Sequence, residues 1–72
     1  MKGDREAEKS YSTREVVAKL RRLADALEEG KTFEIQIAGE RIYIPPTATV
    51  EFEHERQGDE EEVEIEIKWK RQ

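Results

Sequence analysis

The 72-residue chain has no cysteine and only one histidine, and these absences exclude several kinds of chemistry. Without cysteine there is no disulfide, no thiolate metal ligand and no cysteine nucleophile. His54 alone cannot build a multi-histidine zinc centre. A serine triad would need Ser10 or Ser12 beside it, and Ser12 is expected to cap a helix. We therefore predict that the protein is not an enzyme and uses no cofactor.

Glycine-rich loops and long apolar runs are also missing. The four glycines stand singly, so none builds a phosphate-binding loop. No apolar run approaches the roughly 20 residues of a membrane span, and the N-terminus lacks the apolar core of a signal peptide. The net charge of −5 disfavours binding to nucleic acid or to an anionic membrane. We expect a cytoplasmic protein that binds neither.

The strongest local pattern in the first half predicts a helix over about residues 13–29. Ser12 and Glu15 have the spacing of a capping box, and Gly30 is suited to the left-handed residue that ends a helix. Between them, apolar residues recur at helical spacing and form one stripe. The stripe comprises Val16, Val17, Leu20, Leu23, Ala24 and Leu27.

Residues 32–45 alternate between apolar and polar side chains and predict a hairpin of two strands, about 32–38 and 41–45. A turn at Gly39-Glu40, with glycine first as type II′ requires, would set Ile37 opposite Ile42 and Ile35 opposite Ile44. Pro45 and Pro46 then end the second strand, because proline cannot donate a hydrogen bond to the ladder.

A second hairpin is predicted from strands at about 48–57 and 60–70, joined by a turn at Gly58-Asp59. This turn sets three pairs directly opposite one another on the apolar face. The pairs are His54 with Val63, Phe52 with Ile65, and Val50 with Ile67. The C-terminal strand alternates from Glu62 to Lys70 without interruption, so its register is strongly specified.

These elements predict one α+β domain over residues 7–72, preceded by a mobile tail over residues 1–6. In this architecture an N-terminal amphipathic helix packs on one face of a four-stranded antiparallel sheet made of two hairpins. A short polar segment, residues 7–11, would add a fifth strand at an edge. We expect a monomer, or a weak homodimer formed through an edge strand.

The outer face of the second hairpin carries the most distinctive feature of the chain. The predicted register sets Glu51 against Glu66, Glu53 against Glu64 and Glu55 against Glu62, and like charges opposed across a sheet are destabilising. We call this set the acidic face: Glu51, Glu53, Glu55, Glu62, Glu64 and Glu66. Arg41, Lys68 and Lys70 are expected to neutralise one end of it.

Three interpretations of the acidic face remain open. The leading hypothesis is an interaction module that docks a basic protein partner. The first alternative is a structural role in solubility, in which repulsion prevents sheets of different molecules from associating. The second is weak binding of a divalent cation by adjacent carboxylates, although rigid strands rarely supply six oxygens to one ion.

Two aromatic residues are secondary candidates for a binding role. Tyr43 falls on the outer face of its strand between Ile42 and Ile44, where it either fills the strand surface or contacts a partner. Trp69 continues the apolar phase of the last strand, which favours packing against the helix over a ligand platform.

Three segments in this order resemble one known family. Residues 12–30 are similar to the helix of the amphi-Trp domain family, and Ile44-Pro45 followed by residues 50–53 resembles its middle. Residues 62–69 resemble the amphipathic strand, ending in tryptophan, from which the family takes its name. The likeness covers about residues 10–70. It implies a small prokaryotic α+β domain, and it supplies no established activity and no functional residues.

Overall fold

The computed structural model describes residues 3–71, and this part of the chain folds into one helix and four strands. The elements are α1 (Thr13–Glu29), β1 (Phe33–Ile37), β2 (Glu40–Ile44), β3 (Thr49–Gln57) and β4 (Glu60–Lys68). β1 and β2 pair antiparallel as hairpin 1, and β3 and β4 pair antiparallel as hairpin 2. The predicted α+β class is therefore confirmed. Residues 1 and 2 of the predicted tail lie outside the described residues.

Both ends of the helix are fixed by the residues that the sequence indicates. The Glu15 amide donates to Ser12 Oγ at 3.2 Å, and the Ser12 amide donates to the Glu15 carboxylate at 3.4 Å, which completes a capping box. At the other end Gly30 has a φ of 67°. The Lys31 amide then donates to the Ala26 carbonyl at 2.9 Å, as in a Schellman motif.

Hairpin 1 has a different register from the predicted one. Ile35 lies opposite Ile42, and Ile37 lies opposite Glu40, because the turn is formed by Ala38 and Gly39. The predicted pairs of Ile37 with Ile42 and Ile35 with Ile44 are therefore wrong by two residues. The shift keeps every side chain on its predicted face, since side chains alternate with a period of two.

The reason for the observed register lies at the other end of hairpin 1. The predicted register would set Phe33 opposite Pro46, whereas the observed one sets it opposite Ile44 and leaves both prolines outside the ladder. Phe33 and Ile44 are each only 7% exposed and are the only buried hydrophobic residues in the described chain. The Arg22 guanidinium lies 5.6 Å from the centroid of the Phe33 ring. This pair is the centre of the core.

The four strands form two separate two-stranded sheets, and no ladder joins the hairpins within residues 3–71. The single four-stranded sheet that we expected is therefore not continuous. Pro45 and Pro46 lie in the connection between the hairpins and end β2, because proline lacks the N–H that would continue its ladder. The Ala48 amide donates to the Pro45 carbonyl at 3.1 Å and closes a turn before β3 begins.

The helix covers hairpin 1 rather than both hairpins. Among the strands, only β1 has its backbone close to α1. Lys19, Leu23 and Ala26 are half-buried, whereas Leu20 and Leu27 remain exposed. One edge of the predicted apolar stripe therefore faces hairpin 1, and the other edge faces outward.

Within residues 3–71, hairpin 2 meets the rest of the domain at its base, the end formed by the start of β3 and the end of β4. There an apolar cleft of about 270 Å³ opens between α1, hairpin 1 and the C-terminal part of β4. Leu20 and Leu23 line it from the helix, and Ile65, Ile67 and Trp69 line it from the end of the chain. The rest of hairpin 2 projects beyond this contact.

The segment before the helix is attached to hairpin 1 by side chains. Residues 7–11 do not form the fifth strand, because their contacts to β1 come from side-chain donors and not from a backbone ladder. Tyr11 donates its hydroxyl to the Gln36 carbonyl at 2.9 Å. Arg5 donates to the Ile37 carbonyl at 2.8 Å and lies 3.6 Å from the Glu40 carboxylate. The segment thus packs along hairpin 1.

The turn of hairpin 1 generates a stability prediction. Ala38 has a φ of 48° and Gly39 a φ of 86°, and both values are positive as in a type I′ turn. The left-handed region costs an alanine about 1 kcal/mol and costs an asparagine less. Ala38→Asn should therefore raise the free energy of unfolding by about 0.5–1 kcal/mol in urea denaturation. Ala38→Val should lower it, because a β-branched residue tolerates positive φ poorly. Equal stability of both variants would contradict this turn geometry.

Candidate functional site

The acidic face is assembled by hairpin 2 in the predicted register. Glu51 lies opposite Glu66, Glu53 opposite Glu64, and Glu55 opposite Glu62. Directly opposed residues of an antiparallel pair have Cβ atoms about 5 Å apart, so the six side chains form two adjacent columns. All six predicted residues are therefore brought onto one surface.

This arrangement follows from the turn and from the alternation of the two strands. Gly58 has a φ of 60° and precedes Asp59 in a two-residue loop, with glycine at the first position as type II′ prefers. Both strands have nine residues, and alternate side chains share a face. The same register places Val50 opposite Ile67 and Phe52 opposite Ile65 on the other face. The apolar pairing therefore holds the carboxylates in opposition.

Repulsion among the carboxylates changes their affinity for protons. A hydrogen bond with Glu66, together with the negative charge of Glu66, raises the pKa of Glu53 above its ordinary value of 4.5. A hydrogen bond with Glu55 and the charge of Glu64 raise the pKa of Glu62 in the same way. Protonation relieves part of the repulsion, because a carboxylic acid can donate to a neighbouring carboxylate.

A single lysine partly neutralises one end of the acidic face. Lys68 Nζ lies 2.9 Å from the Glu66 carboxylate. A hydrogen bond from Glu53, followed by one from Lys68, lowers the pKa of Glu66, and the hydrogen bond with Glu66 raises the pKa of Lys68. Arg41 does not contribute as expected, because its guanidinium lies 3.3 Å from Glu34 on hairpin 1.

Three of the carboxylates converge closely enough to share one ion. Oxygen atoms of Glu53, Glu64 and Glu66 lie within 4.8 Å of one another. Carboxylate oxygens are the ligands that Ca²⁺ and Mg²⁺ prefer. The three groups supply fewer oxygens than the six to eight that Ca²⁺ takes, so water would have to complete the coordination.

The acidic surface extends further toward the tip of hairpin 2 than the sequence indicated. A depression of about 380 Å³ there is lined by Glu55, Glu62, Gln57, Glu60 and Glu61. Glu60 lies opposite Gln57 and continues the column of β4. Extending the predicted register by one more pair would have identified Glu60 as a member of this surface.

The two aromatic candidates lie away from the acidic face. Tyr43 is 56% exposed on hairpin 1, where it lies opposite Glu34. Trp69 is half-buried beyond the end of β4 and lines the apolar cleft beside the helix. The structure therefore does not combine Tyr43, Trp69 and the six glutamates into one site.

A charged cluster on the opposite face of hairpin 2 was not predicted. His54 Nε2 lies 2.7 Å from the Glu61 carboxylate, and Arg56 donates to the same oxygen at 2.9 Å. The register sets Arg56 directly opposite Glu61, so the pairing could have been read from the sequence. The cluster ends the apolar face with a polar group near the tip.

Comparison with known proteins identifies a family and gives no closer relative. The model of the Amphi-Trp domain family matches residues 3–72, which is almost the whole chain. Neither the curated proteins nor the solved structures give a match. Within the described residues, no helix is long and apolar enough to cross a membrane.

The pKa directions predict how stability changes with pH. Glu53 and Glu62 have raised pKa values, so their protonated forms stabilise the folded state. This stabilisation is complete below about pH 4.5 and is lost as pH rises through the folded-state pKa values. Glu66 has a lowered pKa, and its contribution is lost only at more acidic pH. Between pH 7 and about pH 5 the stabilisation by protonated Glu53 and Glu62 should dominate on the acidic face, so stability should rise as pH falls.

Thermal melting of a Glu53→Gln/Glu62→Gln variant measures this effect. Neutral glutamines remove two repelling charges, so the variant should melt higher than the wild type at neutral pH. The difference should shrink as pH falls toward about 5. A Glu8→Gln/Glu28→Gln variant, altered at two exposed positions off hairpin 2, serves as the control. A difference in melting temperature that does not change with pH would contradict the assigned pKa directions.

Proposed function

The chain belongs to the Amphi-Trp domain family, and we propose that it acts as a non-catalytic interaction domain whose acidic face docks a basic protein segment. The observation that carries this proposal is the direct opposition of three glutamate pairs across hairpin 2. Such opposition destabilises the isolated domain, and a bound cationic segment would relieve it. The proposed location is the cytoplasm.

The spacing of the carboxylates favours an extended partner. Alternate residues along a strand are about 6.7 Å apart, so each column presents its carboxylates at that interval. A partner in extended conformation presents alternate side chains at the same interval. Lysine or arginine at every second position would therefore meet one carboxylate pair after another. Arginine suits such a site especially well, because its planar guanidinium can bridge two carboxylate oxygens.

Raised pKa values link this binding to pH. Glu53 and Glu62 hold protons more tightly than an ordinary glutamate. A bound cation favours the ionised carboxylate, so the binding of a basic segment releases protons from these two residues. The proposed interaction should therefore weaken as pH falls toward about 5, and it should weaken with rising salt concentration.

Charge reversal on the acidic face tests this proposal. The probe is a short peptide in which lysine alternates with serine, titrated into the full chain and followed by calorimetry. Glu53→Lys/Glu64→Lys replaces a directly opposed pair, and it should weaken the affinity by about tenfold or more. Circular dichroism first establishes that the variant remains folded.

The matched control carries the same change in net charge elsewhere. Glu8→Lys/Glu28→Lys alters two exposed residues off hairpin 2 and should retain most of the affinity. Equal affinities for the wild type and Glu53→Lys/Glu64→Lys would overturn the proposal. Affinity capture from a lysate of the source organism with the same three baits then seeks a partner that only Glu53→Lys/Glu64→Lys loses.

A second candidate function, weak binding of a divalent cation, is favoured by the convergence of Glu53, Glu64 and Glu66 within 4.8 Å. An ion bound only by the folded state stabilises it by about 1.4 kcal/mol at ten times its Kd, or about 5–10 °C in melting temperature. Titration with millimolar Ca²⁺ should therefore produce a saturable rise that Glu53→Gln/Glu66→Gln abolishes. A melting temperature that does not change with Ca²⁺ concentration would exclude divalent-cation binding as a function.

A further inference from the structure

The face of hairpin 2 opposite the carboxylates is apolar and uncovered. Phe52 is 74% exposed and Val63 is 67% exposed, which are the highest values among the large hydrophobic residues of the described chain. Ile65 and Val50 on the same face are 45% and 37% exposed. We call these residues, together with the half-buried Ile67, the apolar face of hairpin 2. Soluble proteins seldom leave a contiguous apolar surface free unless something binds there.

Residues 3–71 contain no further element that could cover this face. α1 is its only helix within residues 3–71, and that helix packs on hairpin 1. The apolar cleft reaches Ile65, Ile67 and Trp69 at the base of hairpin 2, but Phe52 and Val63 do not line it. Within residues 3–71, therefore, no element of this copy covers Phe52 and Val63.

The dimensions of the domain indicate how much more surface it exposes than a compact domain of the same mass. Its radius of gyration is 13.8 Å, whereas a compact chain of this length has about 11 Å. Its accessible surface is 6638 Å², whereas a compact protein of this mass exposes about 4,700 Å². Counting the whole segment before the helix cap as extended chain raises the expectation to about 6,000 Å². The remaining excess of about 600 Å² matches what each partner contributes to a small specific interface.

We propose that a second copy of this chain covers the apolar face of hairpin 2. In this arrangement the two faces meet across a two-fold axis. A two-fold interface uses the same patch on both copies, so one apolar face supplies both halves of the contact. Two hairpins packed in this way form a two-layered sandwich with an apolar interior.

The charges of hairpin 2 permit contact between two copies. Glu60, Lys68 and the carboxylate columns lie on the outer face, so their charges stay in solvent. On the apolar side of β3 and β4, Arg56 pairs with Glu61 at 2.9 Å within one chain, so these two charges already offset each other when two such faces meet. Both acidic faces stay on the outside of the dimer and remain open to solvent.

Sedimentation velocity of the full chain tests the proposal. From low micromolar to several hundred micromolar concentration, the species should shift from the chain mass of 8.5 kDa toward twice that mass. Phe52→Glu should abolish the shift, because it places a charge at the centre of the contact. Phe52 is largely exposed in the single chain, so the variant should still fold, as circular dichroism in dilute solution can verify.

Tyr43→Glu is the matched control. It exchanges another exposed aromatic residue for glutamate on hairpin 1, and it should dimerise like the wild type. A wild type that stays monomeric throughout the range would overturn the proposal and leave the face to a partner of different sequence. Undiminished dimerisation of Phe52→Glu would also overturn it, since it would place the contact at an edge strand or at the helix.

A spin label tests which part of the chain makes the contact. The chain has no cysteine, so Gln57→Cys directs a nitroxide to the tip of hairpin 2 alone. Labelled chain is mixed with unlabelled chain enriched in ¹⁵N, and only contacts between copies then broaden the amide signals. Amides of β3 and β4 in the enriched chain should broaden most. Broadening confined to α1 and hairpin 1, or none at all, would contradict the proposed contact.

Discussion

The fold depends on one constraint, which is that a single helix of 17 residues must cover the apolar faces of two hairpins. The helix lies against β1, with the Arg22 guanidinium 5.6 Å from the centroid of the Phe33 ring, and this contact places it on hairpin 1. In the described part of the chain, hairpin 2 therefore meets the body of the domain at its base, through Ile65, Ile67 and Trp69 around the apolar cleft. The uncovered apolar face and the outward acidic face both follow from that position.

The two faces of hairpin 2 suit different partners because their side chains differ completely in chemistry. The carboxylates on one face repel each other and favour a cationic segment. The apolar side chains on the other face favour a contact that excludes water. A second copy can provide this contact, because a two-fold interface uses the same patch on both chains. A dimer of this kind would present two acidic faces on opposite sides. A partner with two basic segments would then gain affinity from the second contact, because that contact is intramolecular.

Much of this structure could be predicted from the sequence, and the failures have identifiable causes. The helix limits follow from Ser12, Glu15 and Gly30, and the register of hairpin 2 follows from its alternation and from Gly58. In hairpin 1 two registers keep the same faces, so alternation cannot choose between them. The choice depends on the packing of Phe33 against Ile44, which is a tertiary contact. Separation of the hairpins and rotation of the helix toward Lys19 and Ala26 likewise depend on packing that periodicity does not encode.

The most direct test of the account is amide hydrogen exchange measured at several protein concentrations. Hairpin 2 is proposed to gain part of its stability from contact with a second copy of the chain. Amides of β3 and β4 should therefore exchange more slowly as concentration rises, whereas those of α1 and hairpin 1 should change little. Protection of β3 and β4 that equals that of hairpin 1 in dilute solution, and that does not vary with concentration, would contradict the claim.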